Sequence, residues 1–276
     1  MKNYPLVSVI ITAKNEEEVI GRLIRSIKKQ SYKNIEIILV DNNSRDKTVD
    51  IAQKMGVKVY QCGPERSAQR NFGAKKSKGN YLLFMDADME LTRNVISQCV
   101  RLIVSDQKIA AMAIPEHSKA VHFWDQVKAF ERSIYNEKGD PVTDAARFFK
   151  REVFFKVGAY DEIITGPEDW DLPETIMERG YKIGRVKSHI NHYERTLSPL
   201  ALAKKKFYYA LQVHKYLQKH HIPIIGPKTV YFLRPIFYKN WPKLISNPFL
   251  TPALLIMLSA ELLGGAVGYI LGRLKR

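Results

Sequence analysis

The chain has 276 residues, of which 45% are hydrophobic, and a formal net charge of +16. That length suits one large α/β domain with an appendage, and the apolar content supports a packed core and excludes global disorder. The charge is uneven: residues 195–276 hold 13 Lys or Arg and a single acid, Glu261, whereas the preceding part is close to balanced.

The first 115 residues alternate strand and helix patterns. Leu6–Thr12 is an apolar run of strand type, and Glu16–Lys29 carries a helical stripe at Val19, Ile20, Leu23, Ile24 and Ile27. Ile35–Val40 reads as a strand, Asp46–Met55 as a helix, Val57–Cys62 as a strand and Ser67–Lys76 as a helix. Tyr81–Met85 is a fourth strand, Arg93–Val104 a helix and Ile109–Ile114 a fifth strand. Such alternation implies a Rossmann-like, mostly parallel sheet flanked by helices. Ligands of these sheets bind beyond the carboxyl ends of the strands, which picks out the loops 13–16, 41–46 and 86–90.

Residues 116–145 read as a connection containing a helix over Phe123–Tyr135. A strand over Ala146–Lys150 follows, then a helix over Arg151–Val157, a turn at 158–161, a helix over Pro167–Arg179 and a strand over Tyr181–Val186. Ser198–His220 is a long basic and aromatic helix candidate, and Phe249–Gly272 is a 24-residue run with one charge, Glu261. Cys62 and Cys99 fit no Cys-x-x-Cys spacing and read as buried thiols of a reducing compartment. Residues 1–5 are too short for an apolar leader, so the expectation is a catalytic part on the cytoplasmic side.

Asp86-Ala87-Asp88 directly follows an apolar strand. Two carboxylates at a sheet mouth repel one another unless a cation sits between them, and Mg²⁺ or Mn²⁺ would suit oxygen ligands there. The bland alternative is a solvated acidic turn. In the second loop, Asp46 reads as a cap of the following helix. Asp41 ends a strand, where its carboxylate can accept from a base N–H or a ribose hydroxyl. Asn15 in the first loop is a candidate helix cap.

Three strings in order, residues 7–16 (VSVIITAKNE), 36–48 (EIILVDNNSRDKT) and 79–88 (GNYLLFMDAD), together resemble the family 2 glycosyltransferases over residues 6–100. The resemblance implies the GT-A fold and a UDP- or GDP-sugar donor. It implies nucleotide contacts at Thr12, Ala13, Asn15, Glu16 and Asp41, and metal binding at Asp88 with Asp86 and Ala87 beside the diphosphate. The string 63–74 is similar to the segment such enzymes lay over the donor, which implies base and diphosphate contacts near Arg66 and Arg70. The bland alternative for this pair is two exposed helix charges. Downstream, residues 146–162 and the string Gly166-Pro167-Glu168-Asp169-Trp170-Asp171 resemble the acceptor side of the family. That implies Asp169 as general base, Glu168 as an orienting group, Trp170 as a stacking surface for a sugar and His192 as a group near the metal. First-turn helix acids favoured by the dipole are the competing account of Glu168, Asp169 and Asp171.

The basic tail is read as a membrane partner and not as a nucleic-acid binder, because a 24-residue apolar run serves no purpose against bases and phosphates. Lys239 and Lys243 precede the run, and Arg273, Lys275 and Arg276 follow it, a pattern that suits a re-entrant or in-plane hairpin with both ends cytoplasmic. Glu261 would then seek a Lys or Arg of another subunit, and Gly264, Gly265 and Gly268 would permit close helix contact. The expected domains are 1–222, with a donor half 1–115 and an acceptor half 116–222, and a membrane-associated segment 223–276. The expected function is inverting, metal-dependent sugar transfer to a lipid-linked hydroxyl or phosphate acceptor at the cytoplasmic membrane face. The rival readings are a sugar-phosphate nucleotidyltransferase and a non-catalytic nucleotide-sugar or polyanion binder.

Overall fold

A computed structural model of the protein describes residues 4–136, 139–140, 144–195 and 198–274. The chain forms two compact units that interleave along the sequence instead of dividing near residue 222. One gathers the residues up to Glu116 with Ala145–Glu162 and Glu168–His192; the other holds His117–Asp144, Ile163–Pro167 and the residues from Tyr193 onward.

The first unit is a seven-stranded sheet in the order β3-β2-β1-β4-β8-β6-β9. Its strands are β1 (Val7–Ala13), β2 (Ile35–Asp41), β3 (Lys58–Gln61), β4 (Tyr81–Asp86), β6 (Ile109–Ala113), β8 (Ala146–Lys150) and β9 (Lys182–Arg185). β1, β2, β3 and β4 pair in parallel, and β8 runs antiparallel between β4 and β6. The sheet is therefore mixed but mostly parallel, and both its faces are covered. Val9, Ile11 and Leu39 point into one core with α1 (Ile20–Lys28) and α4 (Val95–Ser105). Ile10, Ile38 and Phe84 point into the other, the side of α3 (Arg66–Lys76), α6 (Arg151–Lys156) and α7 (Glu168–Glu178). This is the period-2 alternation of a strand buried on both faces.

Two departures from the sequence reading have local causes. α1 begins at Ile20 and not at Glu16, because the backbone N–H groups of Glu16 and Glu17 donate to Thr48 Oγ1 (2.7 Å) and Asp46 Oδ2 (3.1 Å) instead of opening a helix. Three short strands escaped the periodicity: β5 (Met89–Leu91), β7 (Glu116–Lys119) and β10 (Ile190–Tyr193), too few residues to show an alternation. β10 pairs antiparallel with β5, setting His192 opposite Met89, next to Asp88.

The second unit is helical: α5 (Phe123–Asn136), α8 (Pro199–Lys219), α9 (Pro235–Lys239), α10 (Trp241–Ile245) and α11 (Leu250–Leu274), with α2 (Thr48–Lys54) left to the first unit. Val127, Phe130 and Ile134 of α5 form its core with Phe237, Leu254, Met257 and Leu258. α11 is one continuous helix through Gly264 and Gly265, so the apolar run contains no hairpin. Its glycines lie every fourth residue against α8: a Cβ at Gly264, Gly268 or Gly272 would come within 2.2, 2.3 and 2.0 Å of the Ala203, Phe207 and Leu211 carbonyl oxygens. Glu261 finds its cations within the chain and not on another subunit, at Lys128 (2.9 Å) and Lys206 (3.4 Å). Lys275 and Arg276 lie outside the described residues.

Candidate active site

The parallel register brings the three polar loops to one sheet edge: Ala13 pairs with Asp41 and Thr12 with Asp86. Thr12 and Ala13 are buried at the tip of β1. Asn15 adopts a left-handed backbone (φ 55°) and laces the first two loops together. Its N–H donates to Ser44 Oγ (2.8 Å), and its side-chain oxygen accepts from the Arg45 N–H (2.8 Å). Asn15 is thus a loop tie and not a helix cap. Asp41 is fully buried, and its two oxygens accept from the Ser44 N–H and hydroxyl, so this carboxylate builds the loop floor. Asp46 caps α2 through Thr48. Burial pushes its carboxyl up, but the hydrogen bonds from Thr48 and the Glu17 N–H together prevail and hold it below the usual range.

α3 is pressed onto the sheet at Gly73, where a Cβ would meet Ile10 at 2.5 Å and Val40 at 3.0 Å. Gln69 donates to the Val40 carbonyl (2.9 Å), and Asn71 donates to the Tyr160 carbonyl and accepts from its N–H. These contacts fix Arg70, which is 1% exposed and lies 5.1 Å from the Tyr160 ring centroid. Arg70 is therefore not a surface charge. Its guanidinium joins Asp169 Oδ1 (2.6 Å) to Asp86 Oδ1 (3.2 Å). Arg66, one turn earlier and largely exposed, stands 3.9 Å from Glu168 Oε1.

Two residues not singled out from the sequence, Arg147 and Glu116, extend this pair into a chain of alternating charge. Arg147 on β8 reaches Asp86 Oδ2 (3.4 Å) and donates through Nε to Glu116 Oε1 (2.8 Å). Glu116 Oε2 faces His192 Nδ1 (2.9 Å), and His192 Nε2 faces Asp88 Oδ2 (3.7 Å). The chain runs Asp169, Arg70, Asp86, Arg147, Glu116, His192, Asp88, with every member in one unit. Burial alone would raise the Asp86 carboxyl, but Arg66, Arg70, Arg147 and His192 outweigh it and hold Asp86 well below the usual carboxylate range. Glu168 goes the other way: burial, and then repulsion from Asp169, raise it despite Arg70 and Arg66. Side by side, Glu168 and Asp169 in the first turn of α7 have separate environments, one nearly sealed and one a quarter exposed. Trp170 is half-buried on the same turn.

The donor set suits a hard divalent ion only in part. Among the described residues, no group of three or more His, Cys, Asp or Glu is placed to hold a metal unaided. Asp86 is already neutralised by two arginines, whereas Asp88 and His192 offer an oxygen and a nitrogen on one side. With Glu116 accepting from the Nδ1–H tautomer, Nε2 presents its lone pair. Cis ligands of an octahedral ion bound at about 2.1 Å stand about 3 Å apart, so the 3.7 Å gap closes around an ion with a small movement. Water and phosphate oxygens would supply the other ligands, the habit of Mg²⁺-type ions. Neither Arg147 nor Glu116 was legible as a site residue: one is a charge within β8 and the other opens β7, and only the fold brings them together.

Residues 8–159 match the family model described as glycosyl transferase family 2. A 4,4'-diaponeurosporenoate glycosyltransferase of Staphylococcus haemolyticus is 38% identical over 93 residues, 31% of this chain and 24% of that protein. A UDP-Glc:alpha-D-GlcNAc-diphosphoundecaprenol beta-1,3-glucosyltransferase of Escherichia coli is 35% identical over 108 residues, 37% of this chain and 43% of that one. The chain spans about a quarter to three-fifths of the length of the curated relatives it matches. Among solved structures, a mannosyltransferase of Pyrobaculum calidifontis in complex with GDP-Man and Mn²⁺ superposes with a TM-score of 0.60 at 18% identity, covering 94% of this chain and 75% of that one.

Proposed function

Because the chain belongs to glycosyl transferase family 2, we propose that it moves a sugar, with inversion, from a UDP- or GDP-sugar to a lipid-linked hydroxyl or phosphate at the cytoplasmic membrane face. The observation that carries the reading is Arg70, buried and shared between Asp169 and Asp86. It ties a carboxylate able to take a proton to the loop where a diphosphate would lie.

In this reading the acceptor O–H gives its proton to Asp169 as its oxygen bonds to the anomeric carbon. The bond from that carbon to the diphosphate breaks, and the electron pair leaves with the diphosphate. Asp88 and His192 would hold Mg²⁺ or Mn²⁺, which neutralises charge on the leaving group. Arg70 has N–H groups left over beyond those given to Asp169 and Asp86, Nε among them, with which it can meet a diphosphate. Arg70 holds Asp169 by Oδ1 alone, which leaves Oδ2 of this quarter-exposed carboxylate for the acceptor's proton. Arg66 adds positive charge at the same edge, Glu168 orients a hydroxyl and Trp170 packs on a sugar face. Thr12, Ala13, Asn15 and Glu16 frame the nucleotide, with Asp41 as the floor of its loop.

The relatives' printed names support the donor and acceptor classes: GDP-Man with Mn²⁺ in one case, UDP-Glc and a diphosphoundecaprenol acceptor in another. Asp169→Asn tests the assignment. Turnover should fall by about 10²–10⁴-fold with donor affinity kept within a few-fold in calorimetry. Full turnover in that variant would overturn the base assignment. No heat with any nucleotide sugar, with or without Mn²⁺, would overturn the donor.

A further inference from the structure

We infer that α11 is a lipid-docking face that lies in the plane of an anionic membrane surface and does not cross it. This rests on the membrane-facing part of the proposed function and not on its transfer chemistry.

α11 is long and apolar enough to span a bilayer by composition. Its two faces differ, however. Ile256, Leu263, Val267, Ile270 and Leu274 are exposed at steps of seven, four, three and four, one continuous stripe of a helix ~37 Å long. The opposite side is committed to the chain itself. Leu254, Met257 and Leu258 enter the helical core, and Glu261 is sealed between Lys128 and Lys206. Gly264, Gly268 and Gly272 seat α11 on the α8 backbone over two full turns.

That seating decides between crossing and lying flat. A crossing α11 would carry α8 with it at the same depth. Lys204 and Lys205, exposed on α8 beside the Ala203 contact, would then enter hydrocarbon, as would Lys128 and Lys206. Lysines near the middle of a bilayer are strongly disfavoured. Lying flat, the stripe enters the acyl boundary while the lysines stay at headgroup level. The same unit displays Tyr238, Trp241 and Phe249, the last 85% exposed, which are side chains of the interfacial type.

A second copy of the chain could in principle cover the stripe. The charge argues for lipid instead: Lys204, Lys205, Lys239 and Arg273 are exposed while Glu261, the one acid of residues 195–276, is buried, so this segment draws anionic headgroups and disfavours a second copy of itself.

The test uses the full chain and vesicles of phosphatidylcholine alone or with one-third phosphatidylglycerol. Co-sedimentation should be at least 10-fold stronger with the anionic lipid and should weaken as salt is raised, a measurement that needs no variant. Leu263→Glu with Val267→Glu should lower vesicle binding at least 10-fold, with the thermal midpoint and donor affinity unchanged. Equal binding by the variant would overturn the inference. So would a concentration-dependent dimer that the two substitutions dissolve while vesicles are ignored. Alkaline carbonate should strip the wild-type chain from cell membranes; retention would show a span. Donor calorimetry on the same samples keeps the outcome separate from the transferase reading, since either can fail while the other stands.

Discussion

Each unit contains a buried cluster of alternating charge, and the two clusters are built to opposite ends. In the sheet unit, Asp86 and Asp169 keep 20% and 25% of their side chains exposed, and Arg70 divides itself between them. In the helical unit, Glu261 is wholly enclosed, with Lys128 also held by Glu131 (2.6 Å) and Lys206 by the Tyr231 hydroxyl (2.6 Å). The first cluster borders open space and can exchange a partner for a ligand. In the second the shared carboxylate, Glu261, is sealed and only lysine reaches solvent, Lys206 with 29% of its side chain exposed; this cluster pins α11 to α5 and α8. Burial of charge is thus not by itself a sign of function; the discriminating feature is whether the partners can be exchanged.

The largest effect that would break this contrast is at Arg70. Arg70→Ala leaves two carboxylates facing each other and should cost about 3–5 kcal/mol of stability by denaturant unfolding. Turnover should drop by about 10²–10³-fold. Arg70→Lys should recover much of the stability but little turnover, because an ammonium cannot bridge two oxygens in one plane. Recovery of both would reduce Arg70 to a structural pair.

Glu261→Gln should destabilise the helical unit by about 3 kcal/mol, since two lysines lose their shared counter-ion, while leaving donor affinity unaltered. The same residue sets an acid limit. Burial would raise its carboxyl, but Lys128 and Lys206 prevail and hold it at about 2 against an ordinary 4.5. A depressed folded value means that its stabilisation is complete above 4.5 and is lost as pH falls from there through about 2. Circular dichroism across that window should show wild type losing stability more steeply than the variant. Parallel curves would show that the pair contributes nothing.

Glu116→Gln is next. It loosens the hold on His192 Nδ1 and should weaken Mn²⁺ binding about 10–100-fold by titration, at a stability cost of about 1–3 kcal/mol from the weakened Arg147 pair. Unchanged Mn²⁺ affinity would remove His192 from the ion site. The smallest effects come from two glycines of α11 three residues apart. Gly268→Ala drives a Cβ toward the Phe207 carbonyl and should cost about 1–3 kcal/mol. Gly265→Ala meets nothing within 4 Å and should gain about 0.5–1 kcal/mol from helix propensity. Equal effects at both positions would mean that α11 is not seated on α8 through this face.

Much of the sheet unit was legible in advance. Runs such as Val-Ser-Val-Ile-Ile-Thr-Ala fix a buried strand through β-branched content, and strand–helix alternation fixes a parallel arrangement with its polar loops at one edge. The tail was read less well. Composition revealed an apolar run, but its basic flanks suggested a hairpin where one helix forms, while the close helix contact expected of Gly264 and Gly268 is made with α8 of the same chain. Glycine marks either a break or a close approach, and the α8 carbonyls decide for the latter.

By itself, the sequence determined the sheet type, the position of Asp86-Ala87-Asp88 at a strand end and the acids opening α7, because these follow from local periodicity and chain order. Only the tertiary structure decided what those acids meet. Asp169 lies 99 residues from Arg70, and Glu116 lies 76 from His192. Local pattern carries no information about such pairs, for charge complementarity acts through space after the sheet has set the register. The same holds for Glu261: its sequence surroundings suggest a charge stranded in lipid, and folding supplies two lysines from helices on either side.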